Sequence, residues 1–315
     1  MLESSDFIGI EPDSRYLSGL QQNAEVTSNW CDSCETMTEY QEYFHPAVLR
    51  VVGVPVSNFI FVPVPGEPPG GIMAFNYPDE ATEYDTDVLR SLALLVGAVL
   101  TISHDMEETE KAFLYTIEAL ARACEAAEEG TGQHVLRVKR YAGALAANLG
   151  LSSESVIAIH NAAQMHDVGK IKVPTAILLK EGPLTPDEMT IMKLHPLYGL
   201  EILGDSPRLQ VARDVAIAHH ENWDGSGYPG GLKGNEIPLA GRIVKVADVY
   251  DALRSNRSYK RPYSHDEILE IFRQGDDRIA PSHFDPEILA TFFRIESVFA
   301  VIYDSLRDSH SPHTA

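Results

Sequence analysis

From residue 88 onward the apolar positions fall into a helical rhythm. Val88, Leu92, Leu95, Val99, Ile102 and Met106 are spaced 4-3-4-3-4, and the series continues through Thr109 to Phe113, Ile117, Leu120 and Cys124. Alternating steps of three and four keep one stripe on one side of a helix, as in a coiled-coil seam. The doubled step of four around Thr109–Ile117 is a stutter that shifts the stripe. The spacing predicts one long helix, seated either against a second copy of the chain or on its own domain. Before it, strand-like runs occupy Val48–Val54, Asn58–Val64 and Gly70–Phe75, broken by Pro and Gly in VPVPGEPPGG. Beyond it the pattern is helical, with segments expected over Ser153–Met165, Thr185–Leu203, Arg208–His219, Leu239–Leu253, Ser264–Arg273 and Asp285–Arg307. Thr185-x-x-Glu188 makes a good capping box and Ser152-x-x-Ser155 a poor one. A Gly/Pro-rich loop, DGSGYPGGLKGNEIP, follows His220 and Glu221.

With 315 residues, 44% of them hydrophobic, the chain is long enough for two domains and too apolar for general disorder. The pattern divides it into an α+β region at 1–85, a connecting helix at 86–113, an all-α domain at 114–307 and a disordered tail at 308–315. The longest apolar run, Ser91–Ile102, is about a dozen residues against the roughly 20 of a membrane span. The N-terminus MLESSDFIGI has neither the basic nor the apolar region of a signal peptide, and three cysteines make no disulfide framework. A cytoplasmic protein without a membrane span is expected. The net charge of −21 is uneven, with 19 acidic and 3 basic residues up to position 110, and 27 and 22 after it. Such a chain repels nucleic acid polymers. A small anionic substrate needs bound cations or a few placed Lys and Arg.

The helical region supplies candidates for both. His134, His166, His195, His219 and His220, and less convincingly His160, join Asp167 and Asp248, two carboxylates in apolar helical surroundings. Burying a carboxylate is costly unless it is paired or bound to metal. Five His and two Asp are too many donors for one ion and fit two ions sharing a carboxylate. With no thiolate nearby, the set suits Fe, Mn, Co or Zn. Two metals about 3.5–4 Å apart support in-line displacement at phosphorus. Arg254, Arg257, Lys260 and Arg261 form the densest basic run in an acidic chain.

His166-Asp167-Val168-Gly169-Lys170 resembles the HDxGK motif of HD-superfamily phosphohydrolases. His219-His220-Glu221 followed by Asp224-Gly225-x-Gly227-Tyr228-Pro229 is similar to the HHExxDGxGYP signature of the HD-GYP branch. The resemblance implies hydrolysis of cyclic di-GMP to pGpG, with GMP as a further product, at two or three divalent metals, most often iron, with manganese an alternative. It assigns His166, Asp167, Asp248 and His134 to one metal. Asp167 bridges to a second, completed by His195, His219 and His220, and Glu129, or Glu128, serves a third. Asp167 and Lys170 become catalytic, and Lys170, Arg257 and Lys260 bind substrate. The loop Gly227, Tyr228, Pro229 orders the site or docks a GGDEF-domain protein. The N-terminal region resembles a small GAF-like sensor, and the heptads imply a homodimer. Cyclic GMP-AMP as substrate and a non-catalytic sensing or docking module are the alternatives.

Other features carry less. Cys31-x-x-Cys34 lacks a second ligand pair, and His265 and His283 read as caps or surface residues. There is no P-loop, no strand-bound GxGxxG and no GxSxG.

Overall fold

The computed structural model describes residues 25–42, 44, 46–66, 70–126, 133–255 and 261–307. Contacts divide the chain into two compact units, residues 1–111 and 112–315.

In the first unit, β1 (Val26–Asn29), β2 (Asn58–Val64) and β3 (Gly70–Phe75) form an antiparallel sheet in the order 1-2-3. Val26 pairs with Phe61, and Phe59 with Phe75. The period-two alternation of a strand sorts the side chains of β2. Ile60 and Val62 face the buried Leu89 and Ala93 of the long helix, while Phe59 and Phe75 pack with Phe44 and Tyr40 on the other face. Short helices α1 (Trp30–Ser33), α2 (Met37–Gln41) and α3 (Pro46–Val52) complete the unit. The last of these corrects a strand expected at Val48–Val54. Its β-branched residues read as strand, but Pro46 opens the segment with φ preset for a helix. An α+β region is therefore present, as expected, with β1 as an additional strand.

Helix α4 runs from Glu83 to Ala126, 44 residues. Its stripe changes surroundings at the stutter. Val88, Leu92, Leu95, Val99, Ile102 and Met106 are each 48% exposed or more, whereas Leu120, Ala121 and Cys124 belong to the core of the second unit. Residues 98–112 are exposed throughout. One 18-residue window of this helix reaches a mean hydropathy of 1.6, and 22% of it is buried. By length and composition alone α4 is thus long and apolar enough to cross a membrane, which the run Ser91–Ile102 is not.

The second unit is helical: α5 (Gln133–Asn148), α6 (Ser153–Ala162), α7 (Thr175–Leu178), α8 (Pro186–Met192), α9 (His195–Leu203), α10 (Gln210–Ala218), α11 (Leu239–Arg254), α12 (His265–Gln274), α13 (Pro286–Arg294) and α14 (Glu296–Ser305). Its core includes Tyr141, stacked on Phe299 with centroids 4.4 Å apart and edge-on to Tyr250 at 5.3 Å. Two expected helices are each divided. The segment Thr185–Leu203 breaks at Lys193–Leu194, where Pro196 admits only a fresh first turn, so that His195 opens α9. The segment Asp285–Arg307 breaks at Ile295. Thr185 and Glu188 form the expected box, and Ser152 caps α6 alone.

Candidate metal centre

Nearly every candidate ligand sits where a helix begins or ends, and Asp248 lies within α11. His134 is the second residue of α5. His166 and Asp167 occupy the joint between two 3-10 turns, Ala163–Met165 and Val168–Lys172. His195 opens α9, His219 and His220 close α10. Gly169 allows this convergence, because a Cβ there would lie 1.9 Å from the His195 carbonyl oxygen and 2.5 Å from the Gly199 nitrogen.

The side chains fall into two sets, each with ligand-capable atoms within 4.8 Å of one another: Asp167, His195, His219 and His220, and His134, His166 and Asp248. Asp167 faces both. Its Oδ2 lies 3.2 Å from His166 Nε2 and 2.7 Å from Lys170 Nζ, and its Oδ1 lies 3.3 Å from His195 Nε2 and 3.7 Å from His219 Nε2. Asp248 Oδ1 lies 3.7 Å from His134 Nε2 and 3.8 Å from His166 Nε2.

Hydrogen bonds on the far side of each ring assign the tautomers. His166 Nδ1 donates to the Ala163 carbonyl at 2.8 Å, His195 Nδ1 to that of Met192 at 2.8 Å, and His219 Nδ1 to those of Val215 and Ala216 at 3.1 Å. His134 Nδ1 donates to Asp251 Oδ2 at 2.8 Å. Each Nε2 lone pair then points inward, as a metal ligand requires. Facing Nε2 atoms approach to 3.3 Å between His134 and His166 and to 3.4 Å between His195 and His219. Asp167 Oδ1 is buried and accepts no hydrogen bond. Converging lone pairs around an unsatisfied carboxylate oxygen fit cations bound between them.

The electrostatics agree. Burial disfavours a charged His166, yet the Asp167 and Asp248 carboxylates outweigh it and hold the ring at about 9, so its Nε2 takes up a proton that a bound cation would displace. Negative surroundings that strong favour a cation. Burial likewise opposes a charged Asp167, but Lys170 and His166 keep it ionised. Burial lowers His195 to about 4 and His220 well below its ordinary value, so both rings stay neutral and available as ligands.

Two residues beyond the sequence reading hold this centre. Asp251, fully buried on α11, orients His134 and is itself clamped by Arg137, whose Nε and Nη2 donate to it at 2.7 and 2.9 Å. Arg137 follows His134 by three residues and Asp251 follows Asp248 by three, so each lies on its partner's helical face. Lys245 lies nearby without touching a candidate ligand. It is only 8% exposed, three residues before Asp248, and burial lowers its ammonium to about 8.

Glu221 fastens the GYP loop. Buried, it accepts from the Gly230 and Leu232 backbone N–H groups at 2.6 and 3.0 Å. The Tyr228 ring stacks on His220, centroids 4.7 Å apart, under Lys193 Nζ at 5.2 Å. Gly227 admits no side chain, since a Cβ would lie 2.2 Å from the Asn222 nitrogen.

Among the other candidates, His160 stands apart from both sets and packs against Gly143. His265, expected as a cap or surface residue, is partly buried at the start of α12 and bridges Tyr250 and Glu296. His283 accepts from the Ala280 backbone at the end of a 3-10 turn. Glu128, Glu129, Arg257 and Lys260, like the tail 308–315, lie outside the described residues. Of the basic run, Arg254 donates to the Tyr263 carbonyl and Arg261 pairs with Glu267.

Sequence comparison places relatives against this geometry. A 3'3'-cGAMP-specific phosphodiesterase of Vibrio cholerae is 39% identical over 242 residues, covering 75% of this chain and 45% of that protein. A cyclic di-GMP phosphodiesterase of the same organism is 36% identical, covering 72% and 48%. A cyclic di-GMP phosphodiesterase response regulator of Xanthomonas campestris is 45% identical over 191 residues, covering 60% and 50%. The chain spans about half the length of these relatives. The family model described as HD domain matches residues 117–288, which hold both ligand sets, and the chain belongs to the HD domain family.

Proposed function

We propose that this chain hydrolyses a cyclic dinucleotide, cyclic di-GMP foremost, opening the ring to linear pGpG, with GMP as the product of a second cleavage. The observation that carries the reading is Asp167, whose two oxygens face two separate ligand sets. His134, His166 and Asp248 would hold one metal, His195, His219 and His220 the other, with Asp167 between them. Bound Fe or Mn supplies Lewis acidity and a water of lowered pKa for attack at phosphorus. The residues fit such ions through inward Nε2 lone pairs and an unsatisfied carboxylate oxygen.

The chain's own contribution is placement. Lys170, held 2.7 Å from Asp167 Oδ2, is a fixed cation beside the cluster and donates to the scissile phosphate as charge develops. Tyr228 fixes the His220 ring by stacking. Arg257 and Lys260 are assigned to the substrate, and Glu129 to a third metal, on family resemblance. Resemblance also supports docking of a GGDEF-domain protein on the loop Gly227–Pro229 and GAF-like sensing by residues 1–85. The exposed heptads of α4 support a homodimer.

Anaerobically purified protein is expected to contain two or three metals per chain and to convert cyclic di-GMP to pGpG. Full metal content with intact cyclic di-GMP would refute the substrate. A side-by-side rate with cyclic GMP-AMP decides between the two substrates named by the relatives. Full biological activity of Asp167→Ala would favour a non-catalytic module.

A further inference from the structure

Beside the cluster lies a cavity of about 310 Å³ that shares His220 and Tyr228 with it. Its walls carry Lys193, Lys245 and Arg278, with Asn222, Ser226 and His283, and among the described residues no Asp or Glu lines it. In a chain of net charge −21 that is a concentration of cations against the general trend. Lys245 is the informative member. Its side chain is over nine-tenths buried and lines the cavity, and among the described residues no hydrogen bond or ion pair holds its ammonium; Asp248, Glu221 and Asp224 act on it only from beyond ion-pair distance. An ammonium so nearly enclosed loses much of its solvation, and an anion in the cavity would complete it. Lys193 and Arg278 stand exposed at the rim, where they can close over a ligand.

We propose that this cavity is an oxyanion subsite, with Lys245 as its floor, that receives the second, non-scissile phosphate of the dinucleotide. The inference rests on the cyclic dinucleotide reading, since only a ligand with two phosphates reaches both the cluster and the cavity. It makes Lys245 a determinant of affinity for the diphosphate frame. A nucleotide with one phosphate gains from one of the two sites alone.

The test compares the metal-loaded full chain with Lys245→Met and Lys245→Arg. The dissociation constant of pGpG, measured by calorimetry, is expected to rise ~10-fold or more in Lys245→Met, the scale of one lost charge-assisted hydrogen bond. Lys245→Arg should restore it to within ~3-fold. KM for cyclic di-GMP should rise in parallel while kcat changes by less. Without ligand, Lys245→Met should keep its metal and melt no lower than the wild type, because an apolar isostere removes a largely desolvated charge that no ion pair holds. Unchanged pGpG binding in Lys245→Met, absence of pGpG binding by the wild type, or a clearly lowered melting temperature of Lys245→Met would each overturn the proposal. Lys245-dependent pGpG binding without turnover would sink the hydrolase reading and leave the subsite standing. Turnover with an unaltered KM in Lys245→Met would do the reverse.

Discussion

Asp251 links stability to the site through single atoms. Its two oxygens hold Arg137 and His134, so Asp251→Asn leaves a buried guanidinium undercompensated and a candidate ligand loosely aimed. The expected cost is ~3–5 kcal/mol of stability together with a ~10–100-fold loss of metal affinity or activity. Chemical denaturation and metal analysis measure the two separately. The pH dependence has a definite sign. Burial opposes the charged carboxylate, but His134 and Arg137 outweigh it and lower its pKa. Its contribution is thus complete above the unfolded carboxylate value of about 3.9 and disappears as pH falls through the lower folded value. The stability gap between wild type and Asp251→Asn should therefore be full at pH 7 and narrow below pH 4. Gly169 offers a steric counterpart. Gly169→Ala must push the His195 backbone away, so it should cost roughly 1–3 kcal/mol or more and lower the metal content of the purified protein.

Among the elements, the long helix separates two kinds of apolar surface that look alike in sequence. Leu95 is 63% exposed, whereas Leu120 packs against the helical core. Leu95→Glu should leave the melting temperature nearly unchanged and abolish concentration-dependent dimerisation in sedimentation. Leu120→Glu should unfold the second unit. A concentration-independent monomer in the wild type would remove the dimer. The stutter at Thr109–Ile117 was legible, but which half meets solvent was not, since periodicity reports a face and never its partner. The same limit governs the rest. Strands β2 and β3 were readable because Pro and Gly bracket alternating runs, while α3 was masked by its valines. The ligands were readable as His and Asp in apolar helices. Arg137 and Asp251 were not, because their pairing depends on how α5 meets α11, 114 positions apart. Lys245 carries no sequence signal of its own, and only the cavity gives it a setting.

For the molecule as a whole, folding and metal binding should be one transaction. The candidate ligands come from α5, the joint after α6, α9, α10 and α11, so ions bound among them would tie most of the second unit together. A ligand that binds only the folded chain stabilises it by about 4 kcal/mol at a thousandfold excess over its Kd. Chelation should consequently lower the melting temperature by several degrees, and added Fe(II) or Mn(II) should restore it. Calorimetry with and without chelator would show this. An unchanged transition would mean that the ligand groups are held without ions.

Asp167, which faces both ligand sets, would also govern the order of events as the site fills. An ion held at one Asp167 oxygen would restrict the carboxylate's rotation and leave the other oxygen facing the second histidine set. The two half-sites should then load together, with a sigmoidal metal titration and scarce singly occupied protein. Asp167→Asn, which keeps the shape but removes the charge between the sets, should make the titration shallow and biphasic. One side chain would thereby set the threshold of free metal at which the protein switches on.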